Sequence, residues 1–183
     1  RFAVTRNEVV QEERSTLFEK YIALSATGTF KIMNVEGAVK TQYGPGTDFA
    51  LVPTADRDND EPKDEDFWQG TYIESTTEFS VPEDGLYHVV IDTELNKVVI
   101  ARVLWGVIGA STPDGWGGST VLTESAFNKE TVTYTSTDME LRGGDWNFRY
   151  SNGWKIELDT VVDLGGGDKG VKVNTNFGGT VSA

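Results

Sequence analysis

Leu104-Trp-Gly-Val-Ile-Gly-Ala-Ser-Thr-Pro-Asp-Gly-Trp116, followed after a polar spacer by Trp146-Asn-Phe-Arg-Tyr-Ser-Asn-Gly-Trp154, is the stretch on which the fold turns. Both pieces place apolar residues at every second position and break at Pro-Asp-Gly or Ser-Asn-Gly, the pattern of short antiparallel strands joined by turns. Four of the five tryptophans lie between Leu104 and Leu158, so each is either a core plug or a flat platform for a ring-shaped ligand. Trp146, Phe148 and Tyr150 share one strand face and read as core, each contributing roughly 2 to 3 kcal/mol on burial. Asn147 and Arg149 then point outward, where an amide and a planar guanidinium reach vicinal hydroxyls. Trp154, just past the Ser-Asn-Gly turn, stands nearer the rim. Trp116 sits among glycines that let the backbone turn freely and reads as a lid folded back on the core.

The same alternation extends outward. Residues 29–35, 77–81, 85–93, 97–109, 130–136, 145–150, 154–159 and 170–175 all read as strands. Between Asn7 and Ala23 two readings stand side by side: a short helix capped by Asn7, or a strand from Leu17 to Leu24. An internal echo links Gly28-Thr-Phe-Lys-Ile-Met-Asn-Val-Glu-Gly37 with Gly144-Asp-Trp-Asn-Phe-Arg-Tyr-Ser-Asn-Gly153 and favours the strand. The expectation is an all-β chain of two tandem β-sandwich modules, 1–102 and 103–183. They meet near Ala101 to Val103 with almost no linker, so rigidly, because a flexible linker is richer in Gly, Ser or Pro. Relative to a full repeat the chain reads as cut at both ends, the second module lacking a closing strand pair before Ala183.

Composition narrows the function. A net charge of -13 and a pI near 4.4 describe a surface that repels phosphate backbones and anionic headgroups, so nucleic acid is set aside as a partner. No run approaches the roughly 18 apolar residues of a membrane span, and no signal segment opens the sequence. The chain begins at Arg1 without an initiator Met and reads as processed or truncated. Cysteine is absent, which removes thiol nucleophiles, disulfides and thiolate metal sites and leans towards an exported protein. The single histidine, His88, alternates with Tyr87 and Val89 and reads as a partly buried or surface strand residue.

Asp56-Arg-Asp-Asn-Asp60-Glu-Pro-Lys-Asp64-Glu-Asp66 opens with the Asp-x-Asp-x-Asp spacing of a calcium loop. Glu61 stands where such a loop needs Gly, and Phe67 where it needs a bidentate Glu. A solvated loop is therefore the expectation, with Asp56, Asp58 and Asp60 as weak calcium candidates and no other cofactor. Phe67 and Trp68 follow; neighbours on a strand point to opposite faces, which makes Trp68 a candidate platform. No paired carboxylates, nucleophile elbow or phosphate-cradling loop can be picked out, so no enzyme chemistry is expected.

The segments 104–116 and 139–154, with Gly85-Leu-Tyr-His-Val-Val-Ile-Asp92, resemble the repeated β-sandwich modules of SusE/SusF-type outer-membrane lipoproteins of Bacteroidetes glycan-uptake systems. The likeness is good over 103–179, weaker over 23–100, and leaves the first twenty or so residues uncovered. It departs after the mid-module Trp, where Glu157-Leu-Asp159 replaces the family's Asn-Tyr-Gly or Asn-Trp-Gly. The resemblance implies immunoglobulin-like or carbohydrate-binding-module-like sandwiches, a cell-surface location on the outer membrane, a lipid anchor outside this sequence, and non-catalytic polysaccharide or oligosaccharide binding beside an outer-membrane glycan transporter. The expected glycan-binding residues are Trp154, Arg149, Asn152 and Lys155, with Trp68 in the first module. The alternative is a structural or adhesive surface module with no sugar site.

Overall fold

The computed structural model describes residues 1–182. Its regular structure is strand throughout, apart from one 3-10 turn at Thr54–Asp56. The first half holds β1 (Ala3–Asn7), β2 (Glu12–Leu24), β3 (Thr29–Phe30), β4 (Ile32–Glu36), β5 (Val39–Pro45), β6 (Ala50–Leu51), β7 (Phe67–Glu74), β8 (Phe79–Ser80), β9 (Gly85–Asp92) and β10 (Lys97–Arg102). The second holds β11 (Trp105–Ile108), β12 (Thr120–Val121), β13 (Thr123–Glu124), β14 (Tyr134–Thr135), β15 (Gly144–Tyr150), β16 (Lys155–Gly165), β17 (Asp168–Asn174) and β18 (Asn176–Val181). The expected all-β class is what the chain adopts.

The large sheet runs β1-β2-β9-β10-β7-β5-β4, with β6 also against β7. Its centre explains an apolar run that does not alternate. In β9 every residue except Leu86 is buried, because the strand is covered on both faces. Tyr87, Val89 and Ile91 join Val98 and Ile100 in a cluster closed by Ile32, Phe79 and Val81. Val90, Val99, Ala101, Leu17 and Phe67 face the other way, into a cluster completed by Tyr150, Ile156, Leu158, Val171 and Val173. The hairpin β16–β17 and the end of β15 thus lie on one face of the large sheet. A second sheet, β12-β11-β15-β18, continues from there.

The division expected at residues 102 and 103 therefore falls within a shared core. Val103 donates its N–H to Leu86 O at 2.9 Å, and Arg102 donates its own to Asp66 O at 2.9 Å. The two echo segments also differ. Gly28–Gly37 is broken into β3, paired with β8, and β4, paired with β5, whereas Gly144–Gly153 carries the unbroken β15 between β11 and β18.

The N-terminal helix does not form, which corrects that reading and extends the other. β2 pairs with β9 at eight successive positions, from Leu17 opposite Asp92 to Leu24 opposite Gly85. A full ladder to β9 plus burial of Leu17 and Leu24 outweighs a short helix there. Asn7 is used as a clamp instead of a helix cap. Its Oδ1 accepts from Val9 N at 3.2 Å and Lys172 N at 3.1 Å, and its Nδ2 donates to Gly170 O at 3.1 Å.

His88 is not the partly exposed strand residue expected from its neighbours. It is 0 % exposed and lies between the two halves. Its Nε2 meets Glu19 Oε2 at 2.8 Å, its Nδ1 meets Tyr150 Oη at 2.8 Å, and Tyr21 stacks on the ring at 4.1 Å. With Glu19 ionised, the consistent tautomer donates from Nε2 and accepts the Tyr150 hydroxyl at Nδ1. Burial lowers the His88 pKa below its ordinary 6.5, against the opposing pull of Glu19. The Glu19 carboxyl is raised by burial but ends below its ordinary value, because His88 and Thr5 donate to it. A depressed folded pKa means that the unfolded chain binds the proton first. The stability contributed is full above about pH 6.5 and is lost as pH falls through that value towards the folded one. Urea midpoints should be level from pH 8 to 7 and then decline towards pH 5; a His88→Gln variant should show less of that decline.

Candidate functional site

Two short elements bring the second half's aromatic residues to the surface. The 109–118 loop is closed by Gly109 N to Gly115 O at 3.1 Å and by Thr112 Oγ1 to Gly109 O at 2.8 Å, with Gly115 at φ +58°. It holds Trp116 outward at 55 % exposure. The lid expected of Trp116 does not form, because the glycines around it provide no strand to seat the ring against the core. The second element is the turn Tyr150-Ser-Asn-Gly153. Ser151 and Asn152 both have positive φ, 48° and 55°, and Gly153 N bonds Tyr150 O at 2.8 Å. This is a tight turn of the primed kind. A Cβ on Gly153 would lie 2.7 Å from Pro62 N, so this glycine lets the turn press against the acidic loop.

The turn sets Trp154 beside Trp116, with ring centroids 6.4 Å apart and planes inclined at 37°. Arg149 lies over Trp154, its Cζ 4.6 Å from the ring centroid. The guanidinium donates through Nε to Ser119 Oγ at 2.8 Å and through Nη2 to Asn152 Oδ1 at 2.9 Å, while Asn152 Nδ2 bonds the exposed Asp64. Burial lowers the Arg149 pKa, but the group remains a cation at any ordinary pH. The structure thus gathers Arg149, Asn152 and Trp154 as expected, but in different roles. Arg149 is a brace that stiffens Trp154 and covers one of its faces. The open ring is Trp116.

Lys155 adjoins this group through its backbone, whereas Trp68 lies in the first half. Lys155 starts β16, with its backbone N–H tied to Asp60 O at 2.9 Å. Trp68 is half-buried against the first-half cluster, 6.4 Å from Tyr87. Phe67 and Trp68 do point to opposite faces, but both faces of β7 are covered here, so neither ring is left as a platform.

No family model, curated protein or solved structure matches this chain. The reading of the site therefore rests on its geometry and chemistry.

The acidic loop is ordered from within. Arg57 sits at its centre, donating to Val52 O at 2.9 Å, Pro62 O at 2.8 Å and Glu65 O at 2.7 Å. Glu61 is buried; it accepts from Asp58 N at 2.9 Å and Glu157 N at 3.2 Å, and burial raises its pKa. Asp58 is turned onto Asp60 N. Asp56, Asp58 and Asp60 are not collected around a point. Among the described residues no group of three or more His, Cys, Asp or Glu is placed to hold a metal ion. The loop instead buttresses the site, since Asp60 O accepts from both Trp154 N at 2.6 Å and Lys155 N.

On the opposite face of β15, Tyr150 is fully buried as expected of a core residue, whereas Trp146 and Phe148 are only half-buried. These two rings line an open cavity of about 450 Å³ together with Tyr134 and the 136–141 segment. Sequence reasoning placed both in the core because it takes for granted a second layer over every aromatic face. Here that face is covered by irregular chain.

Proposed function

We propose that the chain is a non-catalytic, cell-surface glycan-binding protein of the outer membrane, and that it holds a starch-like or other polysaccharide on Trp116 and Trp154 beside a glycan transporter. The observation that carries this reading is the pair of adjacent, inclined tryptophans, one of them exposed and the other braced by Arg149. Sugar rings present apolar C–H faces to such platforms and hydroxyls to the polar groups around them, here Asn152, Asp64 and Ser119. Ring stacking contributes on the order of 1 to 3 kcal/mol per ring. One platform binds weakly, and a polymer that engages several copies binds far better.

One observation favours the rival reading of a structural or adhesive module without a sugar site: Arg149 already occupies a face of Trp154. Affinity electrophoresis in gels containing individual polysaccharides separates the two. At least one glycan should retard the chain, and Trp116→Ala should weaken that retardation roughly tenfold. Trp68→Ala should lower stability and leave retardation unchanged. A chain that no polysaccharide retards, or a Trp116→Ala variant that migrates like the parent, would leave the structural module as the better account.

A further inference from the structure

The cavity of about 450 Å³ on the far face of β15 has the size of a small-ligand site. Its floor is built by cross-strand pairing. Val107, Phe148 and Phe177 stand in register across β11, β15 and β18, and Trp146 is opposite Gly179. Because position 179 carries no side chain, the edge of the Trp146 indole lies against that strand, where a Cβ would come within 3.3 Å of the ring. Trp146 meets Phe148 edge to face at 5.2 Å and 82°, so the two rings form a corner and not a flat sheet. The facing wall is the irregular 136–141 segment. It contributes the apolar Met139 and Leu141, together with two hydroxyls and a carboxylate on Ser136, Thr137 and Asp138. All three of these residues are exposed.

We propose that this cleft is a second ligand site, taking one neutral, hydroxyl-bearing pyranose ring. The corner of Trp146 and Phe148 accepts the apolar face and edge of the ring. Asp138, Ser136 and Thr137 receive its hydroxyls from the other side. No cation lines the cleft, so an anionic ligand would meet the Asp138 carboxylate with nothing to offset the repulsion. A wholly apolar ligand would fill the ring corner and leave the hydroxyl- and carboxylate-bearing wall unused. The choice of a sugar rests on the glycan-binding reading above; the existence of the cleft does not. The platform on Trp116 grips a chain along its length, whereas an open corner of this volume takes a single ring, such as a chain end.

The test uses the full chain with glucose, galactose, mannose, maltose and cellobiose as probes, followed by NMR of the indole N–H signals. The uncharged apolar dye N-phenyl-1-naphthylamine serves as the control probe. A saccharide should shift the Trp146 signal, and in calorimetric titration, which does not need that indole, Asp138→Asn and Trp146→Phe should each weaken the binding several-fold. Trp116→Ala should leave the Trp146 shift intact. Asp138 is exposed, so its variant folds as the parent does and keeps the test valid if Trp146→Phe loosens the sheet. The cleft proposal is overturned if none of the five sugars moves the Trp146 signal, or if N-phenyl-1-naphthylamine binds there and no sugar displaces it. It is also overturned if Asp138→Asn and Trp146→Phe both bind like the parent. Retardation by polysaccharide that depends on Trp116 while the Trp146 signal stays still sinks the cleft alone. A Trp146 shift with no dependence of retardation on Trp116 sinks the platform alone.

Discussion

Arg102→Ala should destabilise the chain by about 3 to 5 kcal/mol, the cost of removing one partner from a buried ion pair. Arg102 is 6 % exposed and stands at the point where β10 ends and the second half begins. Its guanidinium donates to Val103 O at 2.7 Å and Leu86 O at 3.3 Å, pairs with Glu124, reaches Glu83 Oε1 at 3.1 Å, and lies over the Tyr87 ring at 5.6 Å. It packs so closely on Gly85 that any side chain there would overlap it, a Cβ falling 2.2 Å from Cζ. Truncation leaves Glu124 partly buried without its cation and takes one of two donors from each of the Leu86 and Val103 carbonyls. Tyr134, whose hydroxyl lies 2.9 Å from both Glu124 Oε1 and Val103 O, loses the neighbour that positions its acceptor. Arg102→Lys should recover only part of the loss, because a point charge cannot reproduce the fork that serves Glu124 and the carbonyls together. Guanidinium unfolding curves of the three proteins check this. A loss below about 1 kcal/mol for Arg102→Ala, the scale of a surface pair, would mean that the network is not holding the junction.

Leu158→Ala should cost about 2 to 5 kcal/mol and should do so for both halves at once. Leu158 is 1 % exposed on β16, in the cluster it shares with Val99 and Phe67 of the large sheet. If that cluster is one core, circular dichroism and tryptophan fluorescence should report a single, coincident transition for the parent, moved as a whole in the variant. Two separable transitions, only one of them shifted by Leu158→Ala, would show that 1–102 and 103–183 fold independently.

What could be read along the chain, and what could not, divides by range. β9, β15 and the hairpin segments 154–159 and 170–175 announce themselves through apolar content and flanking turns, because a strand's face pattern is local, whereas the stretch read as one strand over 97–109 is divided into β10 and β11. β5, β7 and β18 do not stand out in the same way. Val39–Pro45 is polar and glycine-bearing, and Asn176–Val181 contains Gly178 and Gly179; both are strands because a neighbour supplies the ladder. The N-terminal ambiguity has the same origin. Glu12–Leu24 has no decisive period of its own, and β9 decides it. At the candidate site the local pattern placed Arg149 on the strand face opposite Trp146 and Tyr150. It could not reveal that Arg149 turns back on Trp154, nor that Trp116 stays outside, because both depend on where the Pro-Asp-Gly-Trp-Gly-Gly loop meets the Ser-Asn-Gly turn.

The sequence by itself determined the all-β class, the strand faces, the turns and the concentration of tryptophan in the second half, since each follows from the period-two geometry of a strand and from residues that break it. Only the tertiary structure decided which of those faces are closed. Burial belongs to pairs of surfaces that meet across the chain: the large sheet is covered on both sides, His88 is sealed between Glu19 and Tyr150, and Trp116, Trp146 and Phe148 are left reachable.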